Sequence, residues 1–300
     1  MRTPEDRKRK SSRLCDVSAK LKQLSTLSKR GPHRVMEGDL GYTGLPGKVY
    51  APAEGRDLPA VAFGHDWRRD ISAYEATLRH LASWGIVVAA PNTETGLRPD
   101  HKGFAADLET AMQILAGVQV GNGNITVSPG KLAIAGHGMG GGAAVLASVD
   151  NQKVRTTVAI YPANVAPSAV EAARNLFVPG LIIGPGEDAN SLFSPGNPAK
   201  LAYNWAGEAV YTVIKKGDQQ GFSEDGLKKR LLGLGKSSSK TQAAARGLVT
   251  GYLLYQLNDE KKYQAFADPE ASGKGIETLT GDKLTQAAGL ARDNATFSLF

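Results

Sequence analysis

The chain has 300 residues, 35 of them glycine, with 41% hydrophobic and 22% charged residues; this supports one large domain with a substantial core and excludes a wholly disordered chain. The formal net charge of +7 is uneven, because residues 1–34 carry 11 Lys/Arg against 3 Asp/Glu and the remainder is close to neutral. A single cysteine, Cys15, rules out an internal disulfide framework; with no apolar run of membrane-spanning length and no secretory signal core, the expected location is cytoplasmic.

Residues 1–10 are charged and have nothing to bury, so they read as disordered. Next, Leu14, Val17, Leu21, Leu24 and Leu27 fall on one helical face, with Lys20, Lys22, Lys29 and Arg30 at other positions. The pattern predicts a basic amphipathic helix of about 16–20 residues, ended by Gly31 and Pro32. Such a helix can dock on its own domain, bind a protein partner, or seat the chain on an anionic surface such as the inner membrane face. The expected organisation is an arm over 1–35, a domain over 40–270 and a loosely held tail over 271–300.

From about residue 40 the pattern becomes strand–helix alternation. Strands are predicted over 47–53, 59–67, 86–92, 131–137, 154–163, 178–188 and, last, 208–218; helices are marked by Ile71, Tyr74, Leu78 and Leu81, and by Phe104, Leu108, Met112 and Leu115. The apolar runs are short, continuous and β-branched, as parallel strands covered on both faces require. The fold class is therefore α/β, with a mostly parallel central sheet and helices on both sides. Residues 228–246 hold six Lys/Arg and no acid and read as a solvated loop and helix flank, and 248–266 as a final apolar helix with a charged turn.

The most informative segment is Gly136-His137-Gly138-Met139-Gly140, which lies between a strand and a helix. A strand–turn–helix of this kind is the geometry of a nucleophile elbow, G-x-S-x-G, whose central side chain is pushed into the active site. Here the central residue is Gly138, which has no side chain to attack with. The five histidines, His33, His65, His80, His101 and His137, all precede Gly138, whereas the base of this arrangement follows nucleophile and acid in the chain.

With FGHDW at 63–67, GHGMGG at 136–141, VPGLIIGPGED at 178–188, GDQQGF at 217–222 and GYLLYQLNDEKKYQAF at 251–266, the chain resembles the dienelactone hydrolase, chlorophyllase and bacterial polyester hydrolase group of the α/β-hydrolase superfamily over about residues 45–267. The resemblance implies a Ser–Asp–His triad acting on esters. Its acid falls on Asp188, its histidine position on Gln220, and its oxyanion loop on His65, Asp66 and Trp67, with a small residue usual where Asp66 stands.

The expectation from these losses is a catalytically inactive module for binding, scaffolding or regulation. His65, Asp66, Trp67, His137 and Met139 would form the old cleft, which could take a small acyl or anionic ligand. The alternative is a hydrolase or lyase acting on an ester-type substrate by a non-standard mechanism, with Asp66 or Asp188 as base or Ser191 as a displaced nucleophile. Gly136, Gly138 and Gly141 also satisfy G-x-G-x-x-G, but no acidic residue ends the following strand and the turn lies mid-chain, which disfavours a dinucleotide. Nucleic acid would give the leucine stripe nothing to pack on. No metal-ligand spacing is present, and no cofactor is implied.

Overall fold

The computed structural model describes residues 19–117, 123–186, 196–225 and 237–290. The charged stretch 1–10, Cys15, Asp188, Ser191 and much of the basic run after 228 lie outside the described residues.

Ten described strands form one sheet: β1 (Val35–Asp39), β2 (Gly47–Pro52), β3 (Gly55–Gly64), β4 (Val87–Pro91), β5 (Ile125–His137), β6 (Val154–Ile160), β7 (Gly180–Pro185), β8 (Ala209–Ile214), β9 (Ser272–Gly273) and β10 (Ile276–Thr278). They lie in the order β1-β2-β4-β3-β5-β6-β7-β8-β10-β9. The six from β4 to β8 are mutually parallel, while β1, β2, β9 and β10 join in antiparallel pairs.

Alternation along the strands divides the core. Ala60, Ala62, Leu132 and Ile134 face one side and pack with α2 (His101–Gly117) and α3 (Met139–Ser148). Val61, Phe63, Ala133 and Ala135 face the other and pack with α1 (Glu75–Ser83) and α4 (Ser239–Asn258). Ser238 caps α4 by accepting from the Thr241 amide, and the helix is buried continuously from Gly247 to Leu254, with Leu248, Leu253, Leu254 and Leu257 in the core. Each such leucine stabilises the fold by roughly 1.5–3 kcal/mol relative to an exposed one.

Described residues on both sides of 40–270 pack with the sheet. The predicted long amphipathic helix is reduced, in its described part, to one turn at Leu24–Leu27. Leu27 is fully buried in the α4 side of the core, and Leu21 is buried beside it. The described half of the leucine stripe is therefore covered by the protein itself. At the other end, residues 272–278 extend the sheet beyond β8, and a short helix follows at Gly281–Ala287. The strand at 208–218 is not the last.

The register that matters for function pairs β3 with β5, Gly64 beside Gly136. Parallel neighbours release their chains at the same end of the sheet, so His65–Trp67 and His137–Met139 emerge side by side. Closeness there depends on glycine: a Cβ on Gly140 would lie 2.3 Å from the Gly64 backbone.

His80 on α1 is buried, with Nε2 3.2 Å from the Thr250 hydroxyl of α4. Burial, followed by the neighbouring Arg246 charge, lowers its pKa from 6.5 to about 4. The unfolded chain therefore takes up a proton that the folded chain refuses. Stability should fall as pH drops through this interval, by up to roughly 3 kcal/mol. Urea unfolding at pH 7 and pH 4.5 should show this loss, and His80→Gln should reduce it.

Candidate active site

The elbow forms as its glycines require. Gly138 has φ 55° and ψ −117°, a conformation open to glycine and strained for any residue with a side chain, which turns the chain from β5 into α3. Its amide donates to the Ile160 carbonyl at 2.9 Å, and its carbonyl accepts from the Ala163 amide at 2.9 Å, fixing the turn against the end of β6.

The space over Gly138 belongs to Asp66. A Cβ on Gly138 would lie 2.0 Å from Asp66 Oδ1. That oxygen accepts from the Trp67 amide at 2.8 Å and from the Met139 amide at 2.9 Å. These are the N–H of the loop after β3 and the N–H of the residue after the nucleophile position, the pair that makes an oxyanion hole in this fold. The Gln219 amide donates to the second oxygen, Oδ2, at 2.9 Å, and Arg69 Nε stands 3.8 Å from it. Asp66 is only 4% exposed, so its charge is met almost wholly by protein donors.

Other groups hold this centre in place. The Asp66 amide donates to the Tyr74 hydroxyl at 3.1 Å, and that hydroxyl is hydrogen-bonded to His137 Nδ1 at 2.8 Å. Burial pushes the Tyr74 phenol far above its ordinary pKa, so it stays neutral. His137 is fully buried among Tyr74, Tyr161 and Phe222. His65 is also fully buried, with its ring nitrogens 2.9 Å from the Asp66 carbonyl and 2.7 Å from the Thr93 carbonyl. Met139 contributes its amide while its side chain lies in the core.

Of the expected cleft residues, only Trp67 reaches solvent, at 49% exposure. Its indole donates to the Leu97 carbonyl at 3.2 Å, and the Arg68 guanidinium lies 5.5 Å from its ring centre. A cleft of about 280 Å³ lies beyond this loop, lined by Lys48, Tyr50, Asp70, Ser72, Glu75 and Asn92 among others, without the elbow residues.

The turn after β8 forms a short helix, Gln219–Phe222, capped by Asp218. Gln220 accepts from Arg69 Nη2 at 2.7 Å, while Gln219 reaches Asp66. Arg69 also pairs with Asp225. Three participants were not singled out in the sequence: Arg69, Gln219 and Tyr74 as a polar group. Nothing in spacing or composition marks them; their roles appear only when three separate chain segments meet.

A mostly parallel sheet in this strand order, with an elbow at the end of β5, defines an α/β-hydrolase. A family model described as PET hydrolase-like matches residues 22–223, and the chain belongs to that family. It is 26% identical over 208 residues to cutinase est2 of Thermobifida alba, covering 63% of this chain and 67% of that protein. To cutinase est1 of the same organism it is 28% identical over 162 residues, covering 52% and 53%. To the bis(hydroxyethyl) terephthalate hydrolase of Streptomyces coelicolor it is 29% identical over 170 residues, covering 53% and 51%. The chain thus spans about half to two thirds of the length of these relatives.

These relatives correct the expectation of an inactive binding, scaffold or regulatory module, because the family and its named members are hydrolases. The space left at Gly138 is filled by a carboxylate from the loop after β3. Among the described residues, no helix is long and apolar enough to cross a membrane.

Gly138→Ser should cost about 1–3 kcal/mol through overpacking against Asp66. In an Asp66→Gly background the overpacking part of that cost should vanish, leaving the strain of a side chain at φ 55°. A double-mutant cycle in thermal denaturation checks the pairing; additive effects would contradict it.

Proposed function

We propose that this chain is an ester hydrolase of the PET hydrolase-like family in which water, activated by the Asp66 carboxylate, replaces the serine nucleophile. The observation that carries this reading is the position of Asp66 Oδ1, within 2.0 Å of where a side chain on residue 138 would begin. Once an ester carbonyl has displaced Oδ1 from the two amides, the carboxylate borders the space where water would approach an acyl carbon held at the elbow.

In the proposed step the ester carbonyl oxygen takes the Trp67 and Met139 amides. Water adds to the acyl carbon, the carbonyl electron pair moves to oxygen, and Asp66 accepts the water proton. Collapse of the tetrahedral adduct breaks the acyl–oxygen bond, and the departing alkoxide takes the proton back from Asp66. The two amides stabilise the developing oxyanion. The half-exposed Trp67 beside Leu97 offers an apolar edge for the acyl group. The names of the relatives, cutinases and a bis(hydroxyethyl) terephthalate hydrolase, support esters as the substrate class. Turnover should be far below that of a serine triad, since water is a weaker nucleophile than an activated serine.

The test is hydrolysis of p-nitrophenyl butyrate and bis(hydroxyethyl) terephthalate. Slow turnover is expected, with no labelling by a serine-directed fluorophosphonate and a loss of about 100-fold or more in Asp66→Asn. Absence of turnover, or turnover undiminished in Asp66→Asn, would overturn the proposal.

A further inference from the structure

Asp66 presents the proposed reaction with a conflict: its carboxylate already holds both amides that the ester carbonyl must use. For a carbonyl to enter, Oδ1 has to leave, and a buried carboxylate cannot leave two donors without finding another. Among the described residues, Arg69 offers such a donor. Arg69 is buried, at 9% exposure, and its Nε has no hydrogen-bond partner among the described residues. That nitrogen stands 3.8 Å from Asp66 Oδ2, just beyond bonding distance.

The remaining nitrogens of the guanidinium are anchored. Nη1 pairs with Asp225, and Nη2 donates to Gln220 Oε1 at 2.7 Å. Both partners lie on the turn after β8, so the guanidinium is fixed while Nε is left over. Gln219 on the same turn keeps hold of Oδ2. A rotation of the Asp66 side chain that carries Oδ1 clear of the two amides can also close the remaining gap of about 1 Å to Nε, giving a charge-assisted bond in place of those surrendered.

We propose that Arg69 Nε is a second seat for the Asp66 carboxylate, so that the oxyanion hole is occluded from within at rest and opens when an incoming carbonyl drives Asp66 onto Arg69. Arg69 is then a positioning residue. It acts through Asp66 and does not itself touch the substrate. The inference rests on the ester-hydrolase reading, but its test needs no turnover.

The test uses N-methylbenzamide, a neutral amide of ester shape, titrated into ¹⁵N-labelled protein while the Trp67 and Met139 amide resonances are followed. The probe should shift both resonances. Arg69→Gln should weaken its binding by about tenfold or more, the worth of one hydrogen bond to a charged group. In an Asp66→Gly background, where nothing has to be displaced, Arg69→Gln should make no difference. Equal weakening in both backgrounds would overturn the proposal, as would probe binding to the wild type that leaves the two amides unmoved. If Arg69→Gln does not fold, Arg69→Lys allows the same comparison, because it keeps the charge and removes the Nε position. Ester turnover in the wild type, measured separately, decides the hydrolase reading whichever way the titration falls.

Discussion

The site is organised by one buried carboxylate. Asp66 has left bulk water, and an ion of its size loses several kcal/mol of solvation on burial in a protein. The loss is offset by two backbone amides, the Gln219 amide and the nearby Arg69 guanidinium. Each hydrogen bond to a charged group contributes about 1.5–3 kcal/mol. The arrangement is therefore self-consistent only while all these donors converge, and that convergence requires three parts of the chain to be held in register.

The sheet supplies this register. Adjacent parallel strands β3 and β5 bring Asp66 over Gly138, and the turn after β8 brings Gln219, Gln220 and Asp225 to Arg69 and Asp66. The same turn is tied to α1 and α4 through Glu224. Its carboxylate accepts from the Ala76 and Thr77 amides and pairs with Arg246 at 2.7 Å. In a serine hydrolase of this fold the corresponding turn would carry the histidine. Here it carries the donors and acceptors that fix a guanidinium and a carboxylate, so the electrostatic centre of the site has moved from the elbow side chain to the oxyanion loop.

Much of the architecture was legible beforehand because buried parallel strands are written as continuous apolar runs. β4 reads Val87-Val88-Ala89-Ala90 and is buried throughout. The elements missed at the edges leave no such mark. β1 is exposed along most of its length, and β10 has only three residues, so neither shows an apolar alternation. The leucines at 21, 24 and 27 were read as the face of a longer helix; their apolar character was informative, but a single turn packed on α4 uses them. At the site, the sequence reveals that residue 138 lacks a side chain. It cannot reveal that a carboxylate from 72 positions upstream fills the gap, because that contact depends on the pairing of β3 with β5. The missing side chain at 138 pointed to an inactive module, and the hydrolase relatives overturn that expectation.

The family relationship, the elbow geometry and the carboxylate together describe a hydrolase scaffold whose oxyanion hole is occupied by its own side chain. The most direct measurement is hydrogen exchange at the Trp67 and Met139 amides, followed by NMR in the wild type and in Asp66→Gly. The account predicts strong protection of both amides in the wild type and its loss at both when the carboxylate is removed. Exchange of both wild-type amides at the rate of an open loop would contradict it.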